Sequence, residues 1–574
     1  MSLDTIRTAG ELQERRETLE RELPEGAVAL TFLGGVGEFG KNMLLLEDDS
    51  GIVVVDCGQA FPDDTLLGVD SVIPETSYLE AHADRLLAYV FTHCHEDHIG
   101  ALPYVLPKAP APLYGSRLTL GFIDGKLREY PETPDVERVE IKGRKFRIGG
   151  FEFEPIAVSH STADSLALAV STRAGVILHT GDFKLDPTPV GRRHDPLSRL
   201  RYYGKRGVRL LLSDSTNAEF AGHSQSETVA QDAILTAFRG TRGRIILTTF
   251  ASHIHRIQGV VDACEDTGRS LVVSGRSVEQ NVRIARELGY LRIPGGMLVS
   301  PKDLGDLPAS RLTLLVSGSQ GEPLSALARI VEGEHKHIKL EADDLVIFSA
   351  RMIPGNEVAI GRLIDRIFLH GARALYTGIA DVHVSGHAYA DELVEVMRAA
   401  KPEYFIPVHG EYRQLYAHKR LVEAQGMDER KILIPHVGAR LLMDAEGAWW
   451  GEPVPAGRIL VDGKGVGDVG PIVLRDRRTM ADDGILVIIV AVSRQTGEIL
   501  REVELVTRGL VYIDENEELL AEVTARVHEL IEEAEPEVRE DRELFADWLR
   551  RKTRRFIQKK LERRPLVVPV IYEL

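Results

Sequence analysis

A chain of 574 residues is too long for one hydrophobic core, and two to four domains are expected. Hydrophobic residues at 44% and charged residues at 27% suit a soluble globular protein and exclude wholesale disorder. The formal net charge of −17 weighs against a phosphate-backbone partner, unless a basic groove is local and the acidic residues lie elsewhere or are neutralised by metal.

In chain order, residues 11–23 alternate charges with few apolar positions and read as an exposed helix or frayed tail. From Val28 short apolar runs separated by Gly and Asp turns predict strands at 28–33, 43–47 and 52–56. Further strands are expected at 86–92, 146–148, 151–155, 166–171 and 176–180, with an apolar stretch over 99–106. Paired short strands with intervening helices point to an α/β sandwich rather than a single parallel sheet.

From about residue 222 the rhythm becomes strand–helix. Strands at 245–249, 270–274, 312–317 and 346–349 are each followed by a helical stretch, at 256–265, 278–288, 324–333 and 358–368. That repetition predicts a parallel-sheet domain. Residues 451–471 are rich in Gly and Pro and read as a linker. Beyond them, strands at 485–492 and 502–513, an acidic helix at 517–534, a basic helix at 547–562 and a strand at 566–571 predict a small α+β domain.

No apolar run reaches the roughly 18 residues needed to cross a bilayer. Residues 1–24 lack an apolar signal core, so export is not expected. The three cysteines, Cys57, Cys94 and Cys264, are too scattered for a disulfide framework or zinc ribbon. A cytoplasmic location is the default.

The chemistry is concentrated in Thr92-His93-Cys94-His95-Glu96-Asp97-His98, directly after a predicted strand. Imidazole and carboxylate are costly to bury unpaired, and together they suit zinc or manganese. A solvated polar loop is the bland alternative, which this spacing disfavours.

The motif resembles that of the metallo-β-lactamase fold family. The resemblance implies further ligands, matched by His160 in Val158-Ser159-His160-Ser161, Asp182 in His179-Thr180-Gly181-Asp182, and His409 in Pro407-Val408-His409-Gly410. It implies that His93, His95 and His160 hold one ion, that Asp97, His98 and His409 hold a second, and that Asp182 bridges them. Asp56 resembles an early aspartate that orients a ligand histidine. Two ions about 3.5–4 Å apart activate a water for attack on phosphorus.

The βα segment between Asp182 and His409 is similar to the insert of the β-CASP nucleases. Leu212-Ser213-Asp214-Ser215-Thr216 resembles their acidic motif, and Ser385-Gly386-His387-Ala388 their motif histidine. His409 is typical of the RNA-acting members. Nearly the whole chain resembles the bacterial ribonuclease J family, notably at residues 249–253, 317–323, 349–357 and 381–387.

The expected fold is therefore α/β: a metallo-β-lactamase αββα sandwich at 25–220 and 376–450, an inserted β-CASP domain at 221–375, a linker at 451–471 and a C-terminal α+β domain at 472–574, after an N-terminal extension at 1–24. The resemblance implies 5′-to-3′ exonuclease and some endonuclease activity on single-stranded RNA with a 5′-monophosphate, in RNA decay and maturation, with Zn2+ or Mn2+. Asp182, Asp214 and His387 are the expected catalytic residues, His387 as proton donor or transition-state contact. Ala251, Ser252, His253, His383, Val384, Ser385, Gly386 and His387 are expected to contact RNA, and Ser317, Ser319 and Arg351 to line a phosphate pocket. A merely polar βα turn is the alternative for these last three. The resemblance also implies homodimers or higher oligomers through the C-terminal domain and RNA-decay protein partners.

Asp462 and Asp468 could bind a structural cation, although a turn role competes. Gly35-Val36-Gly37-Glu38-Phe39-Gly40 matches a dinucleotide fingerprint, but strands rather than a helix follow it, and a turn beside the metal site fits better. His335, His337 and His436 read as surface residues, and Trp449 and Trp450 as packing. Other metal hydrolases, a DNA nuclease or a small-molecule hydrolase, are alternatives that His409 and the insert respectively disfavour. A non-catalytic RNA-binding scaffold would have lost ligands.

Overall fold

The computed structural model describes residues 23–63, 65–191, 195–353, 356–493, 499–510 and 517–573. Most of the charged stretch expected as a helix or tail lies outside them. Among the described residues, one compact unit takes 23–61 and 71–459, and a second takes 62–70 and 460 onward. No helix among them is long and apolar enough to cross a membrane.

The first unit holds a two-sheet sandwich. One sheet has eight strands in the order Ala448–Trp450, Arg440–Met443, Val28–Gly34, Met43–Asp48, Gly51–Val55, Leu86–Val90, Leu113–Gly115, Arg138–Glu140. The other has six, Pro402–Val408, Val208–Asp214, Gly175–His179, Leu166–Thr172, Phe151–Ala157, Phe146–Ile148. Alternate residues meet between the sheets: Leu30, Phe32, Val53 and Val55 from one, Phe153, Leu168, Leu210 and Leu212 from the other. The opposite face of the six-stranded sheet, with Ala169, Leu178, Leu211 and Phe405, is covered by Leu200, Leu393, Val396 and Val422 of flanking helices. Burial on both faces explains why these strands read as continuous apolar runs.

The insert is a five-stranded parallel sheet in the order Ser270–Ser274, Leu312–Val316, Ile245–Thr248, Leu345–Phe348, Arg373–Leu375. It leaves the sandwich after Val208–Asp214 and returns in Pro402–Val408, and these two strands are parallel neighbours with Asp214 opposite Val408. The insertion therefore sets Asp214 beside His409 at adjoining strand ends.

In the second unit Ile485–Val492 pairs with Glu504–Arg508 and Leu566–Glu573. Its alternate residues Leu486, Ile488 and Val490 are buried with Val527, Phe545 and Leu549 of the helices Glu517–Glu533 and Arg542–Leu561. Three expectations need correction. The 451–471 linker contains strands, Arg458–Asp462 and Gly465–Val466, paired through Val461 and Val466. A helix over Pro471–Asp483 was not expected, although Pro at its first position and Gly484 after its end are helix signals. Trp449 and Trp450 are 40% and 41% exposed on an edge strand rather than packed.

His418, on the helix Tyr412–Glu423, is buried against Phe405 with Nδ1 3.0 Å from Ser215 Oγ. Burial pushes its imidazole down to about 3. The unfolded chain accepts a proton there below about pH 6.5 and the folded chain does not, so this contribution to stability is complete above pH 6.5 and is withdrawn as pH falls toward 3. Urea unfolding at pH 7 and pH 5 should show His418→Gln losing about 2 kcal/mol less between the two than the native chain. Equal losses would refute the assignment.

Candidate metal centre

Every expected ligand follows the C-terminal end of a strand. Val55 and Val90 are paired neighbours, so Asp56 and the segment from Thr92 emerge side by side. The segment is then pinned by its backbone: Cys57 N donates to His98 O at 2.7 Å, Gln59 N to Glu96 O at 3.1 Å and Asn42 N to Asp97 O at 3.1 Å. A Cβ on Gly58 would lie 1.6 Å from Asp97 O, so only glycine permits this approach. Asp56 and His409 have φ of 62° and 57°, left-handed values that cost about 1–3 kcal/mol in a non-glycine residue.

Two clusters of donor atoms result, each with its atoms within 4.8 Å of one another: His93, His95, His160 and Asp182, and Asp97, His98, Asp182 and His409. In the first, His95 Nδ1 lies 3.0 Å from His93 Nε2 and 3.1 Å from His160 Nε2. In the second, His409 Nε2 lies 3.1 Å from Asp97 Oδ2 and 3.3 Å from Asp182 Oδ2, and His98 Nε2 lies 3.3 Å from the same Asp182 oxygen. Four ligands about 2.0–2.2 Å from a tetrahedral zinc would stand about 3.3–3.6 Å apart, so both clusters are within a few tenths of an ångström of the spacing of ion ligands. Asp182 belongs to both.

The far side of each ring is held. His98 Nδ1 lies 2.8 Å from Asp56 Oδ2, His160 Nδ1 2.8 Å from Gly386 O, His409 Nδ1 2.7 Å from Thr216 Oγ1 and His93 Nδ1 3.0 Å from Thr92 Oγ1. Thr92 Oγ1 donates to Asp56 Oδ2 at 2.8 Å, so Asp56 steadies a second histidine through it. Such partners orient ligand rings and fix the nitrogen presented to the ion.

The charges also fit a cation. Burial holds His93 and His160 well below the usual imidazole range and pushes His95 down to about 4, so all three present neutral nitrogen. His98 and His409 go the other way. Burial opposes their charge, but Asp182, Asp97 and Asp56 around His98, and Asp182, Asp214 and Asp97 around His409, hold both well above that range. For Asp182, burial favours the neutral acid, and His409, His98 and His93 outweigh it. Clustered carboxylates thus draw protons onto two rings, a demand for positive charge that divalent ions would meet.

His387 is beside this centre, with Nδ1 2.8 Å from Asp214 Oδ2 and its ring 4.9 Å from that of His160 and 5.3 Å from that of His409. Asp214 also accepts from Thr216 N and Oγ1 and is buried, so it is a positioning residue for His387 and His409. The 383–387 loop does more than border the site: Gly386 supplies the carbonyl that holds His160, and a Cβ there would lie 2.8 Å from the ring. Ser385 Oγ accepts from Asn217 Nδ2. Val384 is buried, and His383 Nδ1 is buried without a hydrogen-bond partner among the described residues.

Ala251 and Ser252 are half-buried, whereas His253 is a buried cap whose Nδ1 accepts from Arg256 N at 3.3 Å, not a surface contact. Fully buried Arg256 binds Glu227 through two nitrogens and donates to Val382 O at 3.0 Å, fastening the insert to the 383–387 loop. Ser319 is buried, and Ser317 Oγ accepts from Ala326 N at 3.1 Å. Arg351 Nη1 donates to Asn217 Oδ1 at 2.7 Å. The cation expected near Asp462 gives way to an arginine: Asp462 pairs with Arg477. Gly35 lies in a turn beside the centre, its carbonyl accepting from His409 N at 2.7 Å. His337 and His436 are exposed, but His335 is half-buried and 3.2 Å from Ser274 Oγ. Sequence reasoning missed Thr92, Thr216, Asn217 and Asn42, whose Nδ2 is 3.0 Å from Asp97 O. Thr92 and Thr216 lie within the recognised motifs and Asn217 adjoins one, the one signal available.

A two-sheet sandwich that gathers five histidines and two aspartates, one of them shared, at its strand ends defines a metal-dependent hydrolase of the metallo-β-lactamase fold. Comparison with known proteins agrees. Residues 36–212 match the metallo-beta-lactamase superfamily, 242–367 the ribonuclease J beta-CASP domain, 374–435 the Zn-dependent metallo-hydrolase RNA specificity domain and 472–574 the ribonuclease J C-terminal domain. The chain is 37% identical to Ribonuclease J2 of Bacillus subtilis, over 95% of this chain and 99% of that one. It is 38% identical to Ribonuclease J of Mycobacterium tuberculosis, over 96% and 98%. A crystal structure of a protein of unknown function from Enterococcus faecalis shares the fold, with a TM-score of 0.51 and 13% identity over 73% of this chain and all of that one. The chain belongs to the ribonuclease J family of metal-dependent nucleases.

Titration of metal-stripped protein with zinc or cobalt should saturate at two ions per chain. His160→Ala should remove one and Asp182→Ala should weaken both, while Asp56→Asn should lower affinity about 10–100-fold. Saturation at one ion in the native chain would reject the shared-carboxylate arrangement.

Proposed function

We propose that this protein is a ribonuclease that hydrolyses RNA phosphodiesters, chiefly as a 5′-to-3′ exonuclease with some endonuclease activity, and that it prefers 5′-monophosphate ends. Its role is RNA decay and maturation in the cytoplasm, as a homodimer or higher oligomer through residues 472–574, alongside RNA-decay protein partners. The observation that carries the reading is the pair of donor clusters sharing Asp182, flanked by the His387–Asp214 pair, in a chain whose relatives are ribonucleases.

His93, His95 and His160 would hold one divalent ion and Asp97, His98 and His409 the other, with Asp182 between them. Zinc or manganese bound there would supply Lewis acidity, lowering the pKa of a water and drawing charge from a phosphoryl oxygen. The protein's own part is orientation and proton handling. Asp56, Thr92, Thr216 and Gly386 fix the ligand rings, so the site needs little rearrangement when phosphate arrives. With Nδ1 committed to Asp214, His387 keeps Nε2 to pass a proton to the leaving 3′-oxygen. Support for a 5′-phosphate pocket comes from Ser317, Ser319 and Arg351, which follow the C-terminal ends of parallel strands, where such sheets bind ligands.

The test uses 5′-labelled and 3′-labelled RNA, with a 5′-monophosphate or a 5′-triphosphate, and single-stranded DNA, with manganese or zinc supplied. Mononucleotides should appear from the 5′ end of the monophosphate RNA and disappear in His95→Ala. His387→Ala should lower kcat about 10²–10⁴-fold while retaining bound metal. Cleavage of DNA but not RNA, or of neither, would overturn the assignment.

A further inference from the structure

Phe220 exposes 46% of its surface only three residues beyond Asn217. A lone exposed apolar side chain needs no explanation. This one differs in three respects. Its backbone is fixed: Phe220 N donates to Asn217 O at 3.0 Å, and Phe220 O accepts from Ala390 N at 2.9 Å, at the start of the helix Ala390–Ala400. Its ring is furnished: Tyr389 lies 5.5 Å away, tilted by 31°, and the Arg351 guanidinium carbon lies 5.6 Å from the ring centroid. Finally, it is wired to the centre. Arg351 Nη1 donates to Asn217 Oδ1 at 2.7 Å, and Asn217 Nδ2 donates to Ser385 Oγ at 2.8 Å and His387 O at 3.1 Å.

We propose that Phe220, backed by Tyr389 and flanked by Arg351, is a nucleobase-stacking subsite beside the metal centre. The inference rests on the reading of single-stranded RNA as substrate and adds where one of its bases sits. An unstacked base presents a flat π-face that an exposed phenyl ring covers in place of water, and the guanidinium adds a cationic edge suited to the adjoining phosphate. Every base has such a face, so the subsite holds RNA without selecting sequence. Because the ring stands on a pinned turn, the base it catches is held at a fixed distance from His387, which aligns one phosphodiester rather than its neighbours.

The test compares the native chain with Phe220→Ala and Phe220→Trp on a 5′-monophosphorylated oligoribonucleotide and on the same oligomer with abasic residues at its first four positions. Phe220→Ala should raise KM roughly 5- to 150-fold, the range of one lost stacked base, and should change kcat by a much smaller factor. Phe220→Trp should restore KM. On the abasic oligomer the native chain and Phe220→Ala should have equal KM. In metal-stripped protein, the added tryptophan of Phe220→Trp should be quenched by the normal oligomer and not by the abasic one, beyond any change in the native chain. An unchanged KM in Phe220→Ala, or an equal loss on both oligomers, would overturn the subsite. If the native chain cleaves no RNA, the ribonuclease reading falls by itself, and the quenching still decides whether a base stacks here.

Discussion

One carboxylate organises the molecule. Asp182, 3% exposed, shares its Oδ2 with both donor clusters, within 3.3 Å of His98 and His409 and within 3.6 Å of His93. Negative charge at this depth is tolerable only beside compensating positive charge. The proton-holding imidazoles of His98 and His409 meet that demand, the neutral imidazoles of His93, His95 and His160 offer lone pairs to a cation, and a ring of hydroxyl and carbonyl groups keeps each nitrogen aimed. The left-handed backbone at Asp56 and His409 is strain held in place by the same demand.

The fold meets it by topology. Parallel neighbours send their loops to the same edge, so Asp56 and Thr92 leave adjacent strands, as do Asp214 and His409. The insert does not interrupt this edge. It begins and ends on neighbouring strands, and its buried Arg256 reaches back to the loop that carries Gly386 and His387. One loop thus carries both the His387–Asp214 pair and the carbonyl that holds the His160 ring, and a side chain added at 386 would displace that ring.

How much of this was legible in the sequence depended on how local each signal was. His93, His95, Asp97 and His98 announce themselves within six residues, and the short continuous apolar runs mark strands buried on both faces. His160, Asp182 and His409 stand alone in sequence and could be paired only through resemblance. The roles of Thr92, Thr216, Asn217 and Asn42 were not read, because a hydrogen-bonding linker has no pattern of its own and each has a partner far away in the chain. His253 misled because a polar residue in a recognised motif reads as a contact, whereas folding makes it a buried helix cap. Asp462 misled because its counter-charge, Arg477, sits fifteen residues on, on a helix that the sequence reading did not expect.

The insertion point also imposes a timetable. His93, His95, His160 and Asp182 are all synthesised before the insert, but His409 follows Asp214 by about two hundred residues. At 5–20 residues per second, that interval is on the order of ten seconds or more. A growing chain therefore carries every donor residue of one cluster while the other still lacks its last histidine, although Gly386, which holds the His160 ring, also follows the insert. Completion of the pair waits for the inserted sheet to close and deliver the strand that ends in Val408. The two halves of the centre are thus separated in time during biogenesis, although they share a single oxygen in the finished molecule.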